Sequence, residues 1–149
     1  MLGTDVQRSF GDAYLEATAA MRSRFEARVL EAESWTEGLA LALNDLADGV
    51  LADPETARMT VTEARCGHRD MQCMCDEDRQ ETIASMARGW EHHHDGPVPE
   101  LQLEFLCGAI GHVIAGALAR GELDGLHARL FGLLAFADER DSPAAEVAG

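Results

Sequence analysis

Apolar residues recur along this chain at steps of three and four, the spacing of helices that bury one face. Phe10, Tyr14, Ala17, Met21, Phe25 and Val29 hold that spacing and predict a first amphipathic helix of about twenty residues. Ser34-Trp35-Thr36-Glu37 follows as a start signal, with Ser34 as N-cap and Glu37 reaching back to close a capping box. Leu39, Leu43, Leu46 and Val50 are the buried stripe of the helix it opens. Asp53-Pro54 marks a third start, because Asp53 caps well and proline at the first helical position gives up no hydrogen bond. This shorter helix turns Met59 and Val61 inward and is expected to stop near Gly67.

Residues 65–75 read as the least regular stretch. Helix is expected again from Asp76-Glu77-Asp78, three acids suited to the positive end of a helix dipole. Ile83, Met86 and Trp90 form its inner face, and Gly96-Pro97 breaks it after His92-His93-His94. Next, Leu103, Leu106, Ile110, Val113 and Ala117 form one stripe, and Gly108, Gly111, Ala115 and Ala119 a second, small-residue stripe. After Gly121, Leu123, Leu126, Leu130, Leu133 and Ala137 repeat the pattern, and Phe131, Leu134 and Phe136 make this last segment apolar nearly all round. A terminal helix with no polar face needs outside cover. No segment alternates convincingly over a strand length. The expected fold is therefore all-α, a helical bundle whose last two helices form a four-helix dimer interface with a second copy. Residues 1–9 are expected to be a flexible N-terminus, 10–137 the domain, and 138–149 a polar, fraying tail.

Composition narrows the function classes. At 149 residues, with 46% hydrophobic and 26% charged, the chain suits one globular domain. It has 27 acidic and 12 basic residues, a formal charge of −15, and every basic residue is arginine. Such a surface repels nucleic acid. The longest uninterrupted apolar run, Val113 to Ala119, is far short of a bilayer span, and the N-terminus lacks the apolar core of a signal peptide. The expected setting is cytoplasmic and reducing, away from membranes, so the four cysteines read as thiols or ligands rather than disulfides.

The order of elements, and above all Ser34-Trp35-Thr36-Glu37-Gly38-Leu39 and Leu51-Ala52-Asp53-Pro54-Glu55-Thr56-Ala57-Arg58, resembles the C-terminal domain of TetR-family transcriptional regulators from about Phe10 to Ala137. The resemblance implies a homodimer formed through about Pro99–Arg120 and Leu123–Ala137, with Leu106, Gly108, Gly111, Ala115, Leu130, Phe131 and Leu134 at the interface. It implies a small-molecule effector held among the earlier helices, with Tyr14, Trp35, Met59, Met86, Trp90 and Phe105 as candidate liners and an apolar or aromatic ligand suited to them. Large residues at such spacing also serve as plain core. The family reads DNA through an N-terminal helix-turn-helix, for which the nine residues before Phe10 leave no room, so DNA contact is expected only through a module absent from this sequence.

Three constellations carry candidate chemistry. Cys66-x-His68-x4-Cys73-x-Cys75 places three thiols and an imidazole within ten residues, a soft donor set suited to zinc or copper, which makes this loop a candidate metal or redox sensor. The spacing is not that of established zinc modules, Cys73 and Cys75 cannot face one way on a helix, and an exposed, redox-reactive thiol loop is the commoner source of such a cluster. His112 is a candidate ligand contact, a dimer contact or a satisfied buried histidine, and Cys107 a small buried hydrophobe. Glu91-x-x-His94 and Asp124-x-x-His127 imitate the carboxylate–histidine pairs of di-iron bundles, but no phosphate loop, nucleophile elbow or His-Glu-x-x-His motif occurs, and no catalytic role is expected.

Overall fold

The computed structural model describes residues 2–137 and, within them, the side chains of residues 10–137. The tail from Asp138 lies outside the described residues. Among those described there is no strand, and the all-α expectation holds. Helix α1 (Leu2–Glu31) begins ahead of Phe10 and takes in residues 2–9, for which no helix was expected. It is followed by α2 (Trp35–Ala52), a short α3 (Pro54–Arg58) that widens into a π turn (Met59–Glu63) and a 3₁₀ turn (Ala64–Cys66), then α4 (Arg69–His93), α5 (Glu100–Arg120) and α6 (Leu126–Gly132) with a closing 3₁₀ turn (Leu133–Phe136).

The helix starts are set by local hydrogen bonds. Ser34 Oγ accepts from Glu37 N at 3.1 Å, and Glu37 Oε2 accepts from Glu33 N at 2.9 Å, so the box closes one residue earlier than expected. Asp53 accepts from Thr56 N at 3.1 Å and from Thr56 Oγ1 at 2.6 Å, with Pro54 in the first turn of α3. Gly121 ends α5 with φ +69°, a left-handed geometry that leaves Glu122 N bonded to Ala117 O at 3.0 Å.

The core lies where α1, α2, α4 and α5 meet. Val29, Trp35, Leu39, Leu43, Met86, Leu103, Leu106, Leu126 and Leu130 are all buried. Trp35 stands edge-on to Phe25 and Trp90, with centroids 6.3 and 5.8 Å apart, and His94 stacks on Trp90 at 3.7 Å. Two glycines let the helices approach this closely. A Cβ at Gly38 would fall 2.6 Å from Val29 Cα, and one at Gly89 2.7 Å from Val29 Cγ1.

Three expectations are corrected. Residues 69–75 are helical, because α4 starts at Arg69 behind the extended His68 rather than at Asp76. The last helix is seven residues long rather than a long partner for α5: Asp124-Gly125 forms a turn before it, and beyond Gly132 the chain tightens into a 3₁₀ turn. Finally, α5 has the length and composition of a membrane span when read as a whole helix rather than an unbroken apolar run, with mean hydropathy 1.5 over its most apolar window. Leu103, Leu106, Ile114, Ala117 and Leu118 on its inner side are buried in the bundle.

Candidate ligand-binding cavity

A cavity of about 530 Å³ opens between α1, α2, α4 and α5, closed at one side by α3 and its π turn. That volume falls in the range of small-molecule sites, roughly 300–1,000 Å³. It follows from the sequence in a simple way. On α1, Tyr14, Ala17, Thr18, Met21, Arg22 and Phe25 fall on one face, and on α4 Cys75, Asp78, Thr82, Ser85 and Met86 do the same. The facing wall is small where it could have been bulky, with Ala42 and Gly49 on α2, Ala57 on α3 and Gly111 on α5. Leu43, Leu46, Val50, Ile110 and Ile114 supply the apolar floor.

A polar cluster crosses one side of this space. Arg22 Nη1 donates to Asp78 Oδ1, and Tyr14 Oη donates to Asp78 Oδ2 at 3.2 Å. Burial, with the neighbouring Cys75 and Asp78, raises the Tyr14 phenol above its ordinary range, so it remains a donor. At the base of the cavity Ser85 Oγ donates to Glu26 Oε1 at 2.7 Å, and Arg88 donates to the same oxygen. Those two bonds hold Glu26 below the usual carboxylate range. Thr18, Thr60 and Thr82 turn their hydroxyls back onto carbonyls of their own helices. Cys107 lies at the α5 wall, where burial pushes its thiol up against the opposing pull of Arg79 and Arg65.

Of the expected liners, Tyr14 and Met86 line the cavity. Trp35 and Trp90 are instead core residues, packed on each other, and Trp90 Nε1 is buried without an acceptor among the described residues. Met59 is half-buried outside the cavity, its neighbour Val61 pointing in. Phe105 is 57% exposed on the outer side of α5, and His112 is exposed on the same helix. Sequence reasoning missed Arg22, Asp78 and Ser85. The available signal was their position: polar residues at helical spacing on faces otherwise turned to the core.

The expected interface set divides as well. Leu106 and Leu130 are core residues, 1% and 0% exposed, because α6 folds back onto α5 and α2 within the chain. Gly111 faces the cavity, Ala115 is half-buried and Leu134 packs against the core. Gly108 and Phe131 are on the surface. Around them the outer side of α5 is uncovered along Leu101, Phe105, Gly108, His112 and Ala119, and Phe136 joins it with its ring 5.7 Å from that of Phe105.

The four thiol and imidazole candidates are drawn apart. Cys66 ends the 3₁₀ turn and is exposed, His68 is exposed before α4, Cys73 is exposed on α4, and Cys75, two positions on, turns toward the cavity. Residues two apart on a helix point about 200° apart, so Cys73 and Cys75 face opposite ways. Among the described residues no three His, Cys, Asp or Glu side chains gather in a metal-ligating group. The histidines of the two carboxylate–histidine motifs make contacts elsewhere. His94 Nδ1 donates to Trp90 O at 3.0 Å, whereas His127 Nε2 meets Asp48 Oδ1 at 2.8 Å. His93 Nε2 donates to Val29 O at 2.7 Å, tying the end of α4 to α1. No protein-family model, curated protein or solved structure matches this chain.

Proposed function

We propose that this chain is a non-catalytic, small-molecule-binding and dimerising domain of the kind that TetR-like regulators carry. The observation that supports this reading is the cavity of about 530 Å³ between α1, α2, α4 and α5, walled by apolar side chains and crossed by the Tyr14–Asp78–Arg22 cluster. An apolar space with a few fixed polar groups is suited to holding an organic molecule in one orientation. A ligand there touches four helices at once, so it favours whichever bundle geometry fits it better, and differential affinity for two geometries is what regulation requires.

The second half of the reading is the dimer. Leu101, 80% exposed, Phe105, whose ring meets that of Phe136, and Phe131 leave large apolar side chains uncovered on α5, α6 and the closing 3₁₀ turn, which favours a partner surface. A two-fold partner covers them helix against helix, and the small residues Gly108 and Ala119 allow close approach.

Thermal denaturation in the presence of a panel of apolar and aromatic compounds tests the cavity. At least one compound is expected to raise the melting temperature of the parent protein, and to lose that effect in Ala17→Phe, which fills the α1 wall. A panel with no such compound, or one whose effects survive the substitution, would overturn the assignment.

A further inference from the structure

We propose that the ligand of this cavity is an organic acid, its carboxylate held by Arg65 and Arg79 and its apolar body lying along α1 and α2. The inference rests on the cavity being a ligand site, and it adds the chemical class.

The charge distribution carries the argument. The whole chain has 27 acidic residues to 12 arginines, yet the cavity wall has four arginines, Arg22, Arg24, Arg65 and Arg79, to three acids, Asp45, Asp53 and Asp78. Each of those acids is already engaged. Asp78 is held by Arg22 and Tyr14, Asp45 by Arg28, and Asp53 by the first turn of α3. Arg24 donates to its own helix at Ala20 O. Arg65 and Arg79 have no hydrogen-bond or ion-pair partner among the described residues.

Both of these guanidinium groups belong to the cavity wall, Arg65 on the 3₁₀ turn and Arg79 on α4. The charges of both reach the Cys107 thiol of α5, as does that of the Asp78 carboxylate already held by Arg22 and Tyr14, and Arg65 Nη2 lies 3.3 Å from where a Cβ on Gly111 would be. A larger residue at 111 would press on that guanidinium.

The other hydroxyl donors are in use. Tyr14 donates to Asp78, Ser85 to Glu26, Thr56 to Asp53, and Thr18, Thr60 and Thr82 to backbone carbonyls three or four residues before them. A neutral polar ligand therefore meets few donors. A carboxylate meets two guanidinium groups, whose planar forks match it bidentately. The negative charge of the rest of the surface opposes anions over about 10 Å at 0.1 M ionic strength. That disfavours highly charged ligands and selects a single acid group on an apolar body.

Calorimetric titration with decanoate and with decan-1-ol, on the parent protein and on Arg65→Gln/Arg79→Gln, tests this. Both arginines are exposed, so their replacement leaves the core intact, and the alcohol reports on the cavity in the variant. Decanoate is expected to bind at least about tenfold more tightly than the alcohol, and the double substitution to remove that difference while leaving alcohol affinity unchanged. Equal affinity for acid and alcohol, or a preference for acid that survives the substitution, overturns the inference and leaves the cavity assignment standing. Absence of binding by both overturns the two together.

Discussion

Gly38→Ala is the sharpest test of how this bundle is packed. The new Cβ would sit 2.6 Å from Val29 Cα and 3.3 Å from both Val29 Cβ and Ala32 Cβ. Carbon atoms in ordinary contact are about 3.5–4.0 Å apart, so α1 and α2 must separate by about 1 Å at their closest point. The obstacle is backbone, which cannot rotate away, and this places the cost near the upper end of the overpacking range, about 3 kcal/mol. Alanine recovers about 1 kcal/mol through its better helix propensity. The net loss is about 2 kcal/mol, or roughly 4–8 °C in melting temperature for a domain of this size. Gly49 is the matched control on the same helix: a Cβ there meets nothing within 4 Å, so Gly49→Ala is expected to raise stability by up to about 1 kcal/mol. Calorimetric melting of the two variants beside the parent protein reads both effects. A Gly38→Ala protein as stable as the parent would refute the close approach of α1 and α2.

Other consequences follow from the same geometry. Light scattering is expected to give a mass twice the 16.1 kDa of one chain, and Phe105→Glu, on the uncovered side of α5, to return it to one chain; a monomeric parent contradicts the dimer. Ellman's reagent is expected to react quickly with the exposed Cys66 and Cys73 and slowly with Cys107, whose thiol is pushed up by burial. Fast reaction at Cys107 would contradict its position in the cavity wall. Glu26 is held below its unfolded pKa by Ser85 and Arg88, so its contribution to stability is present above the unfolded value and is lost as pH falls through the folded one. Glu26→Gln is therefore expected to flatten the acid limb of the stability–pH curve, and an unchanged slope would count against these bonds.

The parts of the fold that could be read in the sequence were those set by local chemistry. Ser34, Asp53 and Gly121 cap or break helices through bonds to residues within a few positions, and those boundaries hold. The start of α4 was missed because His68 offers no capping side-chain bond and Asp76-Glu77-Asp78 imitate a first turn while lying inside the helix. The end of the chain was missed for a related reason. Leu126, Leu130 and Leu133 keep helical spacing across a change from α to 3₁₀ geometry that spacing alone does not register. At the cavity, Tyr14 and Met86 were legible as large residues on inner faces, but Trp35 and Trp90 share that signature and pack on each other. What separates cavity from core here is the small residues opposite, Ala42, Gly49, Ala57 and Gly111, and which helices face one another is a tertiary fact.

Methionine methyl groups give the most direct view of the central claim. Met21 and Met86 line the cavity, whereas Met59 and Met71 are half-buried outside it. In a methyl-labelled NMR titration with an apolar acid such as decanoate, the Met21 and Met86 signals are expected to move together and saturate, with Met59 and Met71 nearly still. Signals from Met21 and Met86 that stay fixed while others move would contradict a ligand site between α1 and α4.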